Sequence, residues 1–202
     1  MFIGRTRELA ALDRLYQSDR FEFAVIYGRR RVGKTTLINQ FINDKKAIYF
    51  MGVESNAKQN LENFSRSILE METGFKAETT FLSFQAALEM VFQLAEHQRL
   101  VLVIDEYPYV ARASASLAST LQLLIDQYKE TSKLMLILCG SSMSYMEDHV
   151  LAYKAPLYGR RTAQMKILPF DFEEVCRCFP GYSAEEQALV YGGRDASVSA
   201  TD

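Results

Sequence analysis

The fold of this chain is decided by residues 23–36, which read Phe23-Ala24-Val25-Ile26-Tyr27-Gly28-Arg29-Arg30-Arg31-Val32-Gly33-Lys34-Thr35-Thr36. The apolar start predicts a strand, and the loop after it matches the pattern G-x-x-x-x-G-K-[ST]. Gly28 and Gly33 let the backbone curl so that successive N–H groups point into one concavity, which suits phosphate oxygens. A helix predicted to follow adds unsatisfied N–H groups and the positive end of its dipole. The stretch therefore predicts a phosphate-binding loop.

The loop also carries the side chains that a nucleoside triphosphate and its metal require. Lys34 can reach the β- and γ-phosphates, and the Thr35 hydroxyl can ligate Mg²⁺. Because main-chain groups do most of the cradling, we expect the loop arginines to point to solvent, where their charge still favours a nucleotide. The predicted contacts are Gly28, Arg29, Arg30, Arg31, Val32, Gly33, Lys34, Thr35 and Thr36. The alternative is an ordinary glycine-rich turn.

The composition is that of a soluble globular protein, with 202 residues, 49% of them hydrophobic, and a net charge of −2. This length suits one domain with part of a second. The near-balanced charge gives no sign of a nucleic-acid or membrane partner, and no apolar run is long enough to cross a bilayer. The chain starts without the apolar core of a signal peptide, and its 3 cysteines lack metal-site spacing. These features predict a cytoplasmic protein with free thiols.

Strands and helices are predicted to alternate along the chain. The strands fall at 23–27, 47–51, 100–104, 134–138 and 164–168, and the helices at 6–16, 34–43, 56–72, 80 or 83 to 97, 117–129 and 143–149. This alternation is typical of a three-layer α/β fold with a parallel sheet. Ligands of such sheets bind beyond the carboxyl ends of the strands. Since three strands end just before Gly28, Asp105 and Ser141, we expect one site at that edge.

An apolar strand delivers two adjacent carboxylates, Asp105 and Glu106. This is the Walker B arrangement, in which Asp105 holds Mg²⁺, usually through water, and Glu106 orients or deprotonates the attacking water. The alternative is that both are solvated turn residues.

Ser141 and the arginine pair Arg160-Arg161 are further candidates for catalysis. In a sheet where its strand lies between the other two, Ser141 or its neighbour Ser142 would sit near the γ-phosphate. Ser142 could equally just cap the helix 143–149. Either arginine could stabilise transition-state charge, in its own site or a neighbour's, or form a surface salt bridge.

Taken together, the motifs resemble those of prokaryotic P-loop ATPases related to the AAA+ superfamily, especially the archaeal-type ATPases grouped with signal-transduction ATPases with numerous domains. The resemblance rests on Phe2-Ile3-Gly4-Arg5-x-x-Glu8-Leu9-x-x-Leu12, the loop 28–35, Ile104-Asp105-Glu106-Tyr107-Pro108-Tyr109, Cys139-Gly140-Ser141-Ser142, and Leu157-Tyr158-Gly159-Arg160-Arg161-Thr162 with Leu168-Pro169-Phe170. It spans the chain nearly to Gly193.

The resemblance implies a P-loop sheet with strand order 5-1-4-3-2, which places the Ser141 strand between the Gly28 and Asp105 strands. It also implies that Phe2, Ile3, Gly4 and Arg5 fold over the adenine, although this segment could simply lead into the first helix. Ser141 corresponds to the family's first sensor. Arg160 or Arg161 falls where relatives carry an arginine that acts in a neighbouring subunit.

We expect an ATPase core at 1–168 and the beginning of a helical lid at 169–193. Asp171 with Glu174, and Ser183 with Glu186, are capping-box patterns for short helices at 171–178 and 184–191, the second ended by Gly192-Gly193. Residues 194–202 show no apolar period, which predicts a disordered tail after a truncated lid; a truncated or frame-shifted product with a non-native end is our interpretation of this stretch. An incomplete lid should weaken nucleotide binding and turnover.

The function expected from these features is Mg²⁺-dependent ATP binding and hydrolysis by a regulatory switch. Its partners would be ATP, ADP and an unknown protein or missing C-terminal domain; the oligomeric state is unknown. A non-catalytic nucleotide-binding scaffold is the first alternative, and a small-molecule phosphotransferase the second.

Overall fold

Two runs of consecutive apolar residues form strands in the interior of the sheet. Helices cover both faces of these strands, which is why both faces are apolar. Leu100–Asp105 forms β3 and Leu134–Gly140 forms β4, and every residue of both strands is buried. A strand with one face in water would alternate apolar and polar side chains, and neither run does.

The computed structural model describes residues 4–75 and 79–196. The other strands are β1 (Glu22–Tyr27), β2 (Ala47–Met51) and β5 (Ala163–Lys166). The helices are α1 (Thr6–Gln17), α2 (Lys34–Ile42), α3 (Ala57–Thr73), α4 (Phe84–His97), α5 (Tyr107–Ala113), α6 (Leu117–Tyr128), α7 (Met143–Met146), α8 (Phe172–Cys178) and α9 (Ala184–Ala196). A π-helical segment, Glu147–Leu151, continues α7.

The sheet has the order β2-β3-β4-β1-β5, and all its neighbouring strands are parallel. The predicted fold class and the strand order 5-1-4-3-2 are therefore confirmed. Tyr27 pairs with Gly140, and Ile104 pairs with Leu138. The residues that follow β1, β3 and β4 consequently lie at one edge of the sheet, on three adjacent strands.

Alternate residues of the strands point into two separate apolar layers. One layer packs on α1 and α2 and includes Leu12, Ala24, Ile26, Leu37, Ile38, Phe41, Val101, Val103, Met135, Ile137 and Cys139. The other packs on α3–α6 and includes Val25, Phe50, Phe64, Phe92, Leu102, Leu121, Ile125 and Leu136. This two-sided burial holds the strand ends, and thus the site, in fixed register.

The predicted secondary structure needs one correction directly after the acidic pair. No helix was expected there, yet α5 begins at Tyr107 and Pro108 occupies its first turn. Proline suits that position because the first N–H groups of a helix have no intrahelical partner. Glu106 is the N-cap residue, with φ 49° and ψ 42°.

The end of the described chain confirms both capping boxes and corrects the last helix. Asp171 with Glu174 caps α8, and Ser183 exchanges hydrogen bonds with Glu186 at the start of α9. However, α9 continues through Gly192-Gly193 to Ala196. The expectation of disorder is thus wrong for residues 194–196, and residues 197–202 lie outside the described part. The domain boundary at 168 stays a prediction.

We predict that Phe92→Ala destabilises the fold without rearranging the sheet edge. Phe92 is 0% exposed, and its ring lies 6.0 Å from that of Phe21 and 5.6 Å from that of Tyr128, measured between centroids. The lost burial and the cavity should lower the free energy of unfolding by about 3–5 kcal/mol, measured by urea denaturation. Leu123→Ala on the exposed side of α6 is the control and should change it by less than about 0.5 kcal/mol. Equal losses in both variants would contradict the assignment of the core.

Candidate functional site

The loop between β1 and α2 depends on its two glycines for different reasons. A Cβ atom on Gly28 would lie 2.2 Å from the carbonyl oxygen of Ile167, so only glycine allows the loop to pass β5. Gly33 has φ +87° and is the N-cap of α2. Because glycine provides no capping side chain, the first N–H groups of α2 are available to an anion. The three arginines of the loop are exposed, as predicted.

Lys34 is buried, and its ammonium group is held by oxygen atoms. Its Nζ donates to the carbonyl oxygens of Gly28 and Arg29 and to the Ser141 hydroxyl, each at 2.9 Å. The ammonium therefore lies between the phosphate loop and the end of β4. Its partners are neutral, whereas phosphate oxygens would offer charge-assisted hydrogen bonds.

Asp105 is 1% exposed and both of its carboxylate oxygens are engaged. Oδ2 accepts from the Thr35 hydroxyl at 3.0 Å and from the Tyr49 hydroxyl at 2.6 Å, and Oδ1 accepts from the Glu106 N–H at 2.9 Å. Burial, and then the hydrogen bond to Asp105, raises the pKa of Tyr49, which keeps the phenol protonated as a donor. Burial and the charge of Asp105 likewise raise the pKa of the Cys139 thiol.

Glu106 turns away from Asp105 and binds the end of β4. Its Oε1 accepts from the Ser141 hydroxyl at 2.6 Å, and its Oε2 accepts from the Ser141 N–H at 3.2 Å. Ser141 thus links the Glu106 carboxylate to the Lys34 ammonium. Ser142 is the N-cap residue of α7 but makes no side-chain capping hydrogen bond, so the structure does not support the alternative in which its hydroxyl caps that helix.

These side chains open onto a cleft of about 390 Å³, within the size range of small-molecule sites. Its lining consists of Arg30, Arg31, Gly33, Lys34, Thr35, Thr36, Glu106, Tyr109 and Ser141. The structure therefore brings the loop, the acidic pair and the serine into one place.

The donor set beside the cleft fits Mg²⁺. Thr35 and Asp105 offer a hydroxyl and a carboxylate oxygen within 3.0 Å of each other, and this cation prefers such hard oxygen ligands. The described residues contain no cluster of three or more His, Cys, Asp or Glu side chains able to hold a metal.

Arg5 is 6% exposed and joins three segments instead of lying open in the cleft. Its guanidinium donates to the carbonyl oxygens of Val32 and Leu168, and it lies 4.5 Å from the centroid of the Phe170 ring. A further bond reaches Glu8 at 3.1 Å.

Gly4 also packs near this ring, because a Cβ atom there would lie 3.0 Å from Phe170 Cε1. Phe2 and Ile3, the other residues expected to contact adenine, lie outside the described part.

Arg160 and Arg161 lie far from the phosphate loop of their own chain. The N–H of Thr162 bonds the carbonyl of Phe23, whose Cα is about 16 Å from that of Gly28 along the extended strand. Arg160 binds both carboxylate oxygens of Asp126, at 2.9 and 2.5 Å, and these bonds lower the pKa of Asp126. The Arg161 guanidinium lies 5.6 Å from the centroid of the Tyr158 ring. The structure therefore brings neither arginine into its own site.

Two site residues were missed from the sequence. Tyr49 contacts Asp105 from β2, and the Tyr109 hydroxyl accepts from Arg30 at 2.6 Å in the cleft. The position of Tyr109, three residues after Glu106, could have indicated that it lies at the site. Nothing in the sequence around Tyr49, which lies inside a predicted strand, indicated a contact with Asp105.

A lysine-bearing phosphate loop after β1 and an acidic pair after β3, which flank β4 in a parallel sheet, define a P-loop ATPase. Residues 2–197 match the family described as an ATPase domain predominantly from Archaea, and the chain belongs to this family. The resemblance to archaeal-type ATPases drawn from the motifs is thereby confirmed.

Several known proteins are similar to this chain. An uncharacterized protein of Methanocaldococcus jannaschii is 36% identical over 195 residues, covering 96% of this chain and 42% of its own length. An uncharacterized ATP-binding protein of the same organism is 46% identical over 46 residues, or 23% of this chain and 78% of its own.

Two solved structures share the fold. A Walker-type ATPase of Pyrococcus abyssi has a TM-score of 0.63 at 23% identity, covering 89% of this chain and 58% of its own. The ORC2 protein of Aeropyrum pernix, in ADPNP–ADP complexes, has a TM-score of 0.63 at 19% identity, covering 93% and 52%. The chain thus spans about half the length of these proteins. Among the described helices, none is long and apolar enough to cross a bilayer.

We predict that Arg5→Lys destabilises the protein although the positive charge is kept. A lysine cannot bond two carbonyl groups and stack on Phe170 at once. The free energy of unfolding should fall by about 1–3 kcal/mol, measured by urea denaturation. The control is Arg7→Lys on the exposed side of α1, which should change it by less than about 0.5 kcal/mol. A loss no larger than that of the control would contradict the clamping role of Arg5.

Proposed function

We propose that this chain binds Mg²⁺–ATP in the cleft beside residues 28–36 and hydrolyses it, as the ATPase unit of a regulatory switch. One observation carries the proposal: five side chains lie together at one sheet edge beside the cleft and are linked by hydrogen bonds, namely Lys34, Ser141 and Glu106 in one group and Thr35 and Asp105 in another. Membership of the ATPase family supports the same reading.

The loop and Lys34 would bind the triphosphate. The Lys34 ammonium is now bonded to two carbonyl groups and one hydroxyl, and it would exchange neutral acceptors for anionic phosphate oxygens. The N-terminal N–H groups of α2 would add donors that need no reorganisation. The expected contact of adenine with residues 2–4 is part of this proposal, whereas the Arg5 guanidinium is already engaged by Val32 and Leu168.

Hydrolysis falls to Glu106. A water oxygen attacks the γ-phosphorus, the bond from that phosphorus to the β–γ bridging oxygen breaks, and ADP leaves. Glu106 orients this water and accepts its proton on a carboxylate oxygen. Ser141 would help to align Glu106 with the water and the γ-phosphate, because its hydroxyl contacts both Glu106 and Lys34.

Thr35 and Asp105 would hold Mg²⁺, which when bound neutralises charge on the phosphate oxygens. The chain spans 42% of the length of its Methanocaldococcus relative. In the proposed switch, nucleotide binding and hydrolysis would control the conformation of an attached domain or of a partner protein. A cytoplasmic location, a protein partner and a role for Arg160 or Arg161 in a neighbouring copy belong to the same proposal. So does the lid that we expect to begin at 169.

We predict that Lys34→Ala abolishes ATP binding up to millimolar ligand, because it removes the one ammonium in the phosphate loop. Isothermal calorimetry in magnesium buffer measures the affinity, and circular dichroism verifies the fold. The control is Lys58→Ala on the surface of α3, where the lysine side chain is 86% exposed. Binding by Lys34→Ala at the parental affinity would refute the placement of the triphosphate.

We predict that Glu106→Gln leaves ATP binding intact but lowers phosphate release at least about a hundredfold. The amide keeps an oxygen that accepts from Ser141 but cannot take a proton from water. Release is measured without any added acceptor, which separates an ATPase from a phosphotransferase. Glu62→Gln on α3 is the control.

Hydrolysis at the parental rate in Glu106→Gln would refute the role of Glu106. If the parental protein with a complete lid binds ATP but releases no phosphate, a non-catalytic scaffold is the better description.

A further inference from the structure

Tyr49 reaches the metal-binding edge from a strand that carries none of the expected site residues. It lies on β2, where its neighbour in the β3 register is Val103, two residues before Asp105. Side chains two apart on a strand share a face, so Tyr49 and Asp105 both point toward the layer under α2. The hydroxyl of Tyr49 donates to Asp105 Oδ2 at 2.6 Å.

The surroundings of Asp105 leave few donors to replace this one. Thr35 approaches the same oxygen from the first turn of α2, and the Glu106 N–H binds the other oxygen. The Cys139 thiol faces the carboxylate from β4. At 1% exposure, Asp105 is effectively closed to bulk water. Tyr49 is therefore the donor that fixes the carboxylate from the β2 side.

We propose that Tyr49 is a positioning residue for the metal: its hydroxyl holds the Asp105 carboxylate in the orientation that Mg²⁺–nucleotide requires. This inference rests on the proposed function, in which Thr35 and Asp105 hold the cation. When Mg²⁺ is bound, the Thr35 hydroxyl would be a ligand of the metal. Tyr49 would not contact the metal and would keep its hydrogen bond to Asp105. Groups that orient a metal ligand in this way commonly change metal affinity by 10–100-fold when removed.

The hydroxyl, not the ring, is the functional part of this residue. The ring packs against the apolar layer of α1 and α2, and phenylalanine would pack there equally well. Tyr49→Phe consequently tests the hydrogen bond with little risk to the fold. A residue with a merely structural role would affect nucleotide binding whether or not magnesium is present, whereas a positioning role would affect only the magnesium-dependent part.

The test is calorimetric binding of a non-hydrolysable ATP analogue to the full chain, in magnesium buffer and in EDTA. In Tyr49→Phe, the affinity gained from magnesium should fall about tenfold or more. The affinity in EDTA should stay within about twofold of the parental value, since no phosphate contact is removed. Tyr128→Phe, which removes a buried hydroxyl between α4 and α6, is the matched control and should keep the parental magnesium dependence.

A double-mutant cycle with Asp105→Asn tests the route of the effect. In that background Tyr49→Phe should cause no further loss, because the carboxylate it orients is gone. The inference alone is overturned if the parental protein is magnesium-dependent and Tyr49→Phe matches it, or if the variant loses affinity equally in EDTA. If the parental protein does not bind the ATP analogue, or binds it with the same affinity in magnesium and in EDTA, both the proposed function and this inference are overturned.

Discussion

The Lys34 ammonium is the charge on which the geometry of the site depends. It is buried, and among residues 4–75 and 79–196 no carboxylate oxygen lies within 4.0 Å of its Nζ atom. A buried charge is costly unless it is paired and hydrogen-bonded, and carbonyl dipoles compensate only part of that cost. The three N–H donors of this cation are therefore satisfied, but its charge has no anionic partner, which a bound polyanion would supply.

The parallel sheet makes this arrangement possible without long connections. Because β3, β4 and β1 are adjacent and in register, the residues that follow them meet at one edge. The pleat then separates their roles: Asp105 faces α2 and Thr35, while Glu106 is the N-cap of α5 and binds Ser141. Two adjacent carboxylates thus point to different partners, which reduces the repulsion between them.

The central fold was predictable because its signals are local. Unbroken apolar runs mark strands buried on both faces, and the glycine and lysine spacing marks the loop between β1 and α2. Contacts that join distant segments were not predictable in this way. The bond from Tyr49 depends on the β2–β3 register, and the clamp by Arg5 spans from α1 to Leu168. The helix through Gly192-Gly193 runs against local propensity, so sequence reasoning ended it too early.

The Arg5 clamp links the phosphate loop to the segment that leads into α8. Its guanidinium bonds Val32, directly before Gly33, and also bonds Leu168 and stacks on Phe170. Displacing the linker at 168–170 would therefore break a hydrogen bond to the loop backbone, and reshaping the loop would disturb the linker. Coupling between sites requires contacts that differ in two arrangements, and this guanidinium touches both of the segments concerned. In the proposed function, phosphate bound at residues 28–34 would therefore be linked through one side chain to the segment that leads into α8.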